Sequence, residues 1–138
     1  MNKIFYLTVV LVLLFIAPAF SGSGPDIREG RWEITTSVDM PGMPVSIPPQ
    51  KHIQCITRKD LVPQNSGNNQ DCEITEQNIS GNTVTWKMRC KSAAGTTTGS
   101  GQITYGKDTF SGTFTSDVPQ ANMKMTSKMS GRRIGPCK

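Results

Sequence analysis

Between Cys72 and Cys90 the chain reads CEITEQNISGNTVTWKMRC, with a cysteine at each end and Ser80-Gly81-Asn82 at its centre. Polar and apolar residues alternate along its second half, the period of a strand with one buried face. Gly and Asn accept the left-handed backbone of a tight turn. A three-residue loop at this centre sets Cys72 opposite Cys90, which fits a disulfide-stapled antiparallel hairpin.

The other cysteines are Cys55 and Cys137, and an even count in an exported chain reads as two disulfides. Pairing Cys72 with Cys90 leaves Cys55 for Cys137; the set Cys55–Cys72 with Cys90–Cys137 stays open. Metal binding through these residues is poorly served. No two cysteines lie within a dozen residues of each other, and His52 is the only histidine.

The N-terminus supplies the export route that disulfides require. Met1-Asn2-Lys3 is a short basic start, and residues 4–20 are apolar apart from Thr8 and Pro18. Small residues follow, so residues 1–21 read as a signal peptide cut after Ser21, with a cut after Ala19 as the alternative. Seventeen residues is the short limit for a spanning helix, which favours cleavage over an anchor and leaves no membrane span afterwards. No cysteine follows the apolar run, so a lipid anchor is not indicated. Residues 22–138 then form one β domain, with residues 22–30 a flexible lead-in.

The whole chain holds 15 Lys+Arg against 10 Asp+Glu, and losing Lys3 with the leader leaves 14. That mild surplus without a clustered patch does not suit nucleic acid. Lys87, Arg89 and Lys91 make one outward row and Lys124 and Lys128 another, which reads as a solvated sheet face. A weak attraction to anionic envelope surfaces is the sharper reading.

Along the mature chain, Arg31 to Asp39 alternates with Trp32, Ile34, Thr36 and Val38 on one face. Residues 40–50 carry four prolines and can only connect or turn. Lys51 to Thr57 is a short strand with Ile53, Cys55 and Thr57 on one side. Residues 58–71 are loop chemistry, with one helical turn allowed at Thr57 to Leu61. Turns at Ser92 to Gly95, Gly106-Lys107 and Val118-Pro119 then give a meander. It pairs Trp86 with Gly101, Gly101 with Gly112, Ile103 with Phe110 and Phe114 with Met123. All of these turns keep Val84, Trp86, Met88, Cys90, Ile103, Tyr105, Phe110, Phe114, Met123, Met125 and Met129 on one face. Glu76 breaks the pattern: it falls on that face opposite Trp86, which implies a strand end, a bulge or a cavity. The expected architecture is all-β, a single antiparallel meander of about seven strands curved into a barrel or half-barrel.

Several separated stretches also resemble one family. They are Gly30-Arg31-Trp32-Glu33, Met40-Pro41-Gly42-Met43-Pro44, Cys55-Ile56-Thr57, Cys72, Trp86 ahead of Cys90, and the ending Gly131-Arg132-Arg133-Ile134-Gly135-Pro136-Cys137. Together they resemble the domain of unknown function 3617 family of small exported bacterial proteins. The resemblance implies a Gram-negative envelope protein with a β-rich fold, and it implies no activity.

The sequence offers no catalytic constellation. His52 has only Cys55 as a nearby nucleophile type, and a disulfide sulfur cannot attack as a thiolate. Glu76 has no partner acid. The chain therefore reads as a non-enzyme without cofactors. Its expected role is binding a small apolar ligand or an envelope component, with Trp86, Tyr105, Phe110 and Glu76 as lining. The alternatives are an accessory partner of an envelope complex, and copper handling by Met40, Met43, Met123 and Met125, since thioethers suit Cu(I). Against copper, methionine also fills gaps in small cores.

Overall fold

Strand-period alternation along the chain resolves into seven strands. A computed structural model describes residues 24–42, 44, 47–63 and 71–138. The strands are β1 (Gly30–Asp39), β2 (Gln50–Ile56), β3 (Asp71–Ser80), β4 (Thr83–Ser92), β5 (Gly95–Tyr105), β6 (Thr109–Val118) and β7 (Met123–Gly135). They form one antiparallel sheet in the order β2-β1-β7-β6-β5-β4-β3. β3 to β7 are the expected meander. β1 enters between β7 and β2, so strands from the two ends of the domain lie side by side. β2 and β3 are the two edges and do not pair, so the sheet is not closed into a barrel.

The sheet is nevertheless bent. β1 and β5 are three strand spacings apart, about 14 Å on a flat sheet. Yet the Trp32 and Tyr105 rings meet edge to face at 6.3 Å, and Trp32 lies 5.6 Å from Phe110 of β6. The concave side is filled at one end by Ile27, Trp32, Ile34, Ile56, Leu61, Val62, Val84, Trp86, Ile103, Tyr105 and Phe110. Three of these come from outside the strands. Residues 24–29 cross the hairpin ends, where Asp26 N–H donates to Asn82 Oδ1 (2.7 Å) and Arg28 N–H to the Lys107 carbonyl (3.0 Å). This sets Ile27 into the core at 2% exposure. From the other side the buried Tyr105 hydroxyl donates to the Leu61 carbonyl. Asp60 N–H bonds the Thr57 carbonyl, so a tight turn stands where a helical turn was allowed.

The structure revises several registers. β5 and β6 pair Tyr105 with Phe110, Ile103 with Gly112 and Gly101 with Phe114, two residues from expectation. β6 and β7 pair Val118 with Met123 and Phe114 with Ser127, four residues from expectation. Both slips are even, so every side chain keeps its face. The Gly101–Gly112 pairing does not exist. Instead three rings each cover a glycine of the neighbouring strand: Trp86 lies on Gly101, Phe114 on Gly99 and Phe110 on Gly131. A ring over a glycine shields backbone that would otherwise be bare, and it lets the sheet bend there.

The opening hairpin also differs. Its turn is the two residues Gly81-Asn82, with Gly81 at φ 58°. The register from Cys72 to Ile74 is the expected one, but it shifts between Ile74 and Glu76, leaving Thr75 as the extra residue of a bulge. The shift turns Glu76 away from the concave face. It faces Lys87 on the outer side and pairs with it at 3.0 Å, while Gln77 takes the place opposite Trp86. In β2 the core residue Ile56 sets the parity: His52 and Gln54 face inward, and Ile53 is 58% exposed.

Two disulfides join Cys72 to Cys90 and Cys55 to Cys137, with Cα separations of 4.0 and 5.5 Å. Arg31 of β1 is flanked by Cys55 on one side and Gly135 on the other. The chain beyond β7 therefore steps across the start of β1 to reach the edge strand.

Candidate functional site

Alternation gives the sheet a concave face rich in apolar side chains, with Thr36, Gln77 and Ser127 among them, and only part of it is packed. Toward the ends of β3 and β4 that carry Cys72 and Cys90, the side chains of Val38, Ile74, Met88, Phe114, Met123, Met125 and Met129 are half-buried rather than buried. Cross-strand register gathers them. Ser127 joins Val38 to Phe114, and Gly101 joins Phe114 to Trp86. Phe114 and Trp86 stack at 6.2 Å with 8° between their planes, so they form the floor where the packed core gives way to the half-exposed end. Ile74, Met88, Phe114 and Met129 lie against the core rather than in it.

Trp86, Tyr105 and Phe110 belong to one packed core, at 3%, 2% and 4% exposure. Burial pushes the Tyr105 phenol well above its ordinary pKa, since ionising it would strand a charge among apolar groups. Glu76 does not join them. Met40, Met123 and Met125 are half-buried, the latter two at the open end of the concave face, while Met43 lies outside the described residues.

Polar atoms on the concave side are the part that pattern reading missed. Trp32 Nε1, Trp86 Nε1, His52 Nε2 and Gln54 Oε1 are withdrawn from solvent without a hydrogen-bond partner. Trp32 faces Gln54, and Ile34 faces His52, across the β1–β2 pair. The signal that could have found them is Ile56, which fixes the inward parity of β2.

The outer face carries a shallow groove of about 620 Å³ beside the bulge. Its walls are Thr85, Lys87, Ser100, Gln102, Thr113 and Thr115, next to Glu76 and Asn78. These are solvated hydroxyls and amides, and the single acid is neutralised by Lys87. Among the described residues no three His, Cys, Asp or Glu side chains converge, and no helix is long and apolar enough to cross a membrane.

The family model described as "Protein of unknown function (DUF3617)" matches residues 27–137, from the core residue Ile27 to the last cysteine. No curated protein and no solved structure matches the chain.

Proposed function

The chain belongs to the DUF3617 family, and from that premise we propose that it is an exported, non-enzymatic binding module whose concave face takes a small apolar ligand. One observation carries the reading: the apolar side chains of the concave face continue past Trp86 and Phe114, where tight packing stops, leaving Val38, Met88, Met125 and Met129 half-exposed. Small domains seldom leave contiguous apolar surface open without a use for it. Methionine suits such a surface, because its flexible thioether adapts to different shapes. In this reading the methionines supply apolar contact and not copper ligands. Two disulfides, with the signal-like residues 1–21, support an oxidising compartment such as the periplasm.

The test is a fluorescence titration with N-phenylnaphthylamine, an apolar probe that brightens on leaving water. Binding should saturate near one probe per chain and fail when Met88 and Met125 are both changed to Glu. Saturable binding that survives both charges would place the site elsewhere, and no saturable binding would end the reading. The exposed Ile53 and Ile79, at 58% and 42% on the two edge strands, favour a second reading as an accessory partner of an envelope assembly. Native mass spectrometry of protein from its own envelope separates the two, by a bound small molecule or a bound chain.

A further inference from the structure

Native proteins rarely leave buried polar atoms unmatched, so a group of them marks a place where something else supplies the partner. Three of the unmatched atoms on the concave face lie at adjoining positions: Trp32 Nε1, Gln54 Oε1 and His52 Nε2. Trp32 itself is 0% exposed, so solvent does not reach its N–H. Trp86 Nε1 belongs to β4, four strands from β1 in sheet order, and stands outside the group. The three atoms make a defined set: one donor, one acceptor and one imidazole nitrogen that serves as either. They sit on the inward side of β1 and β2. Beyond them along β1 come Thr36 and Val38, and Met129 lies beside Thr36 on β7.

We propose that Trp32, His52 and Gln54 receive the head group of an amphiphile whose apolar body lies along the half-exposed concave face. The head is neutral and both accepts and donates hydrogen bonds, as an alcohol or primary amide does. This rests on the apolar-ligand reading and adds to it the chemistry of the ligand's polar end. A carboxylate only accepts, so it would match the Trp32 N–H and confront the Gln54 oxygen with another acceptor. A hydrocarbon would leave all three atoms unmatched. Past the buried Trp32 and Ile34, the half-exposed part of the face runs from Thr36 to Val38 on β1 and from Met129 to Met125 on β7, and the apolar body lies there.

Displacement of bound N-phenylnaphthylamine from the disulfide-intact protein tests this, with lauryl alcohol, its methyl ether and laurate as competitors. The ether keeps the acceptor but loses the donor. The alcohol should displace the probe at about tenfold lower concentration than the ether, with laurate no better than the ether. In Gln54→Leu the alcohol-to-ether ratio should fall to about one, whereas Trp32→Phe, which removes the donor that both ligands accept from, should weaken both and leave the ratio at about ten. Gln54→Leu removes an unmatched, buried oxygen from a half-buried side chain on an edge strand, so it folds even if the core change at Trp32 does not. Equal displacement by alcohol and ether in the unmodified protein, or a preference kept in Gln54→Leu, overturns the head-group assignment and leaves the apolar site standing. Absence of any saturable probe binding overturns both.

Discussion

Removing the Cys55–Cys137 bridge should cost more stability than removing Cys72–Cys90. Cys55 and Cys72 are exposed and Cys90 and Cys137 are half-buried, so changing each pair to alanine opens little cavity. What changes is the freedom of the unfolded chain, which grows with the loop each bridge closes. The separations are 82 and 18 residues. Chain entropy assigns about 4.5 kcal/mol to the longer loop and about 3 kcal/mol to the shorter, a gap of roughly tenfold in the folded-to-unfolded ratio. Geometry points the same way. Cys72 and Cys90 are held opposite each other by the ladder on both sides, whereas Cys137 lies beyond the last strand residue, Gly135. Urea unfolding of Cys55→Ala/Cys137→Ala and Cys72→Ala/Cys90→Ala, followed through the buried Trp32 and Trp86, measures both. Equal costs, or a larger cost for Cys72–Cys90, would refute the loop argument for this fold.

Gly101→Ala should destabilise by about 1–3 kcal/mol and shift tryptophan emission, because the new methyl would drive into the Trp86 ring; Gly135→Ala, with open space around it, is the neutral control in the same unfolding assay. Tyr105→Phe should cost about 1–3 kcal/mol by leaving the Leu61 carbonyl unmatched. It should also remove an alkaline loss of stability. The folded phenol holds its proton above the ordinary pKa of about 10, so its contribution is full below that pH and is lost as pH rises beyond it. Parallel denaturation curves of both proteins across the alkaline range read the difference. Deleting Thr75 should leave Cys72 paired with Cys90 and Gln77 opposite Trp86, giving an edge strand without its bulge that self-associates more readily. Peptide mapping and concentration-dependent gel filtration check the two halves of that expectation.

The faces of the sheet were legible because alternation fixes parity, but parity is blind to slips of two or four residues. That is why Phe110 and Phe114 kept their face while their partners changed. The loops decided the rest. Gly106 N–H bonds the Thr109 carbonyl, closing a four-residue turn where Gly106-Lys107 alone suggested two. After β6, a short 3-10 turn at Pro119–Ala121 with Asn122 in the left-handed region consumes the extra residues. The bulge left a trace: Ile74 and Ile79 are both apolar on one strand but an odd number apart, which a regular strand cannot place on one face. Ile27, Leu61 and Val62 left none, because isolated apolar residues in loops carry no period. The candidate site was half legible. Its methionines followed from alternation, but the unmatched atoms of Trp32, His52 and Gln54 depend on what each side chain meets in space.

The placement of β1 between β2 and β7 also sets an order of assembly. Glu33 and Arg132, bonded at 3.1 Å, are 99 residues apart in the chain. A chain that crosses a membrane N-terminus first delivers Trp32 and Ile34 early, but their neighbours on β7 arrive last. The β3–β7 meander can build by short steps, while β1 and β2 wait with their apolar side uncovered. Cys55 waits with them, because its partner Cys137 follows β7. The domain is therefore completed at its centre and not at its edges, and a chain stopped short of β7 would have half a core and an unpaired thiol.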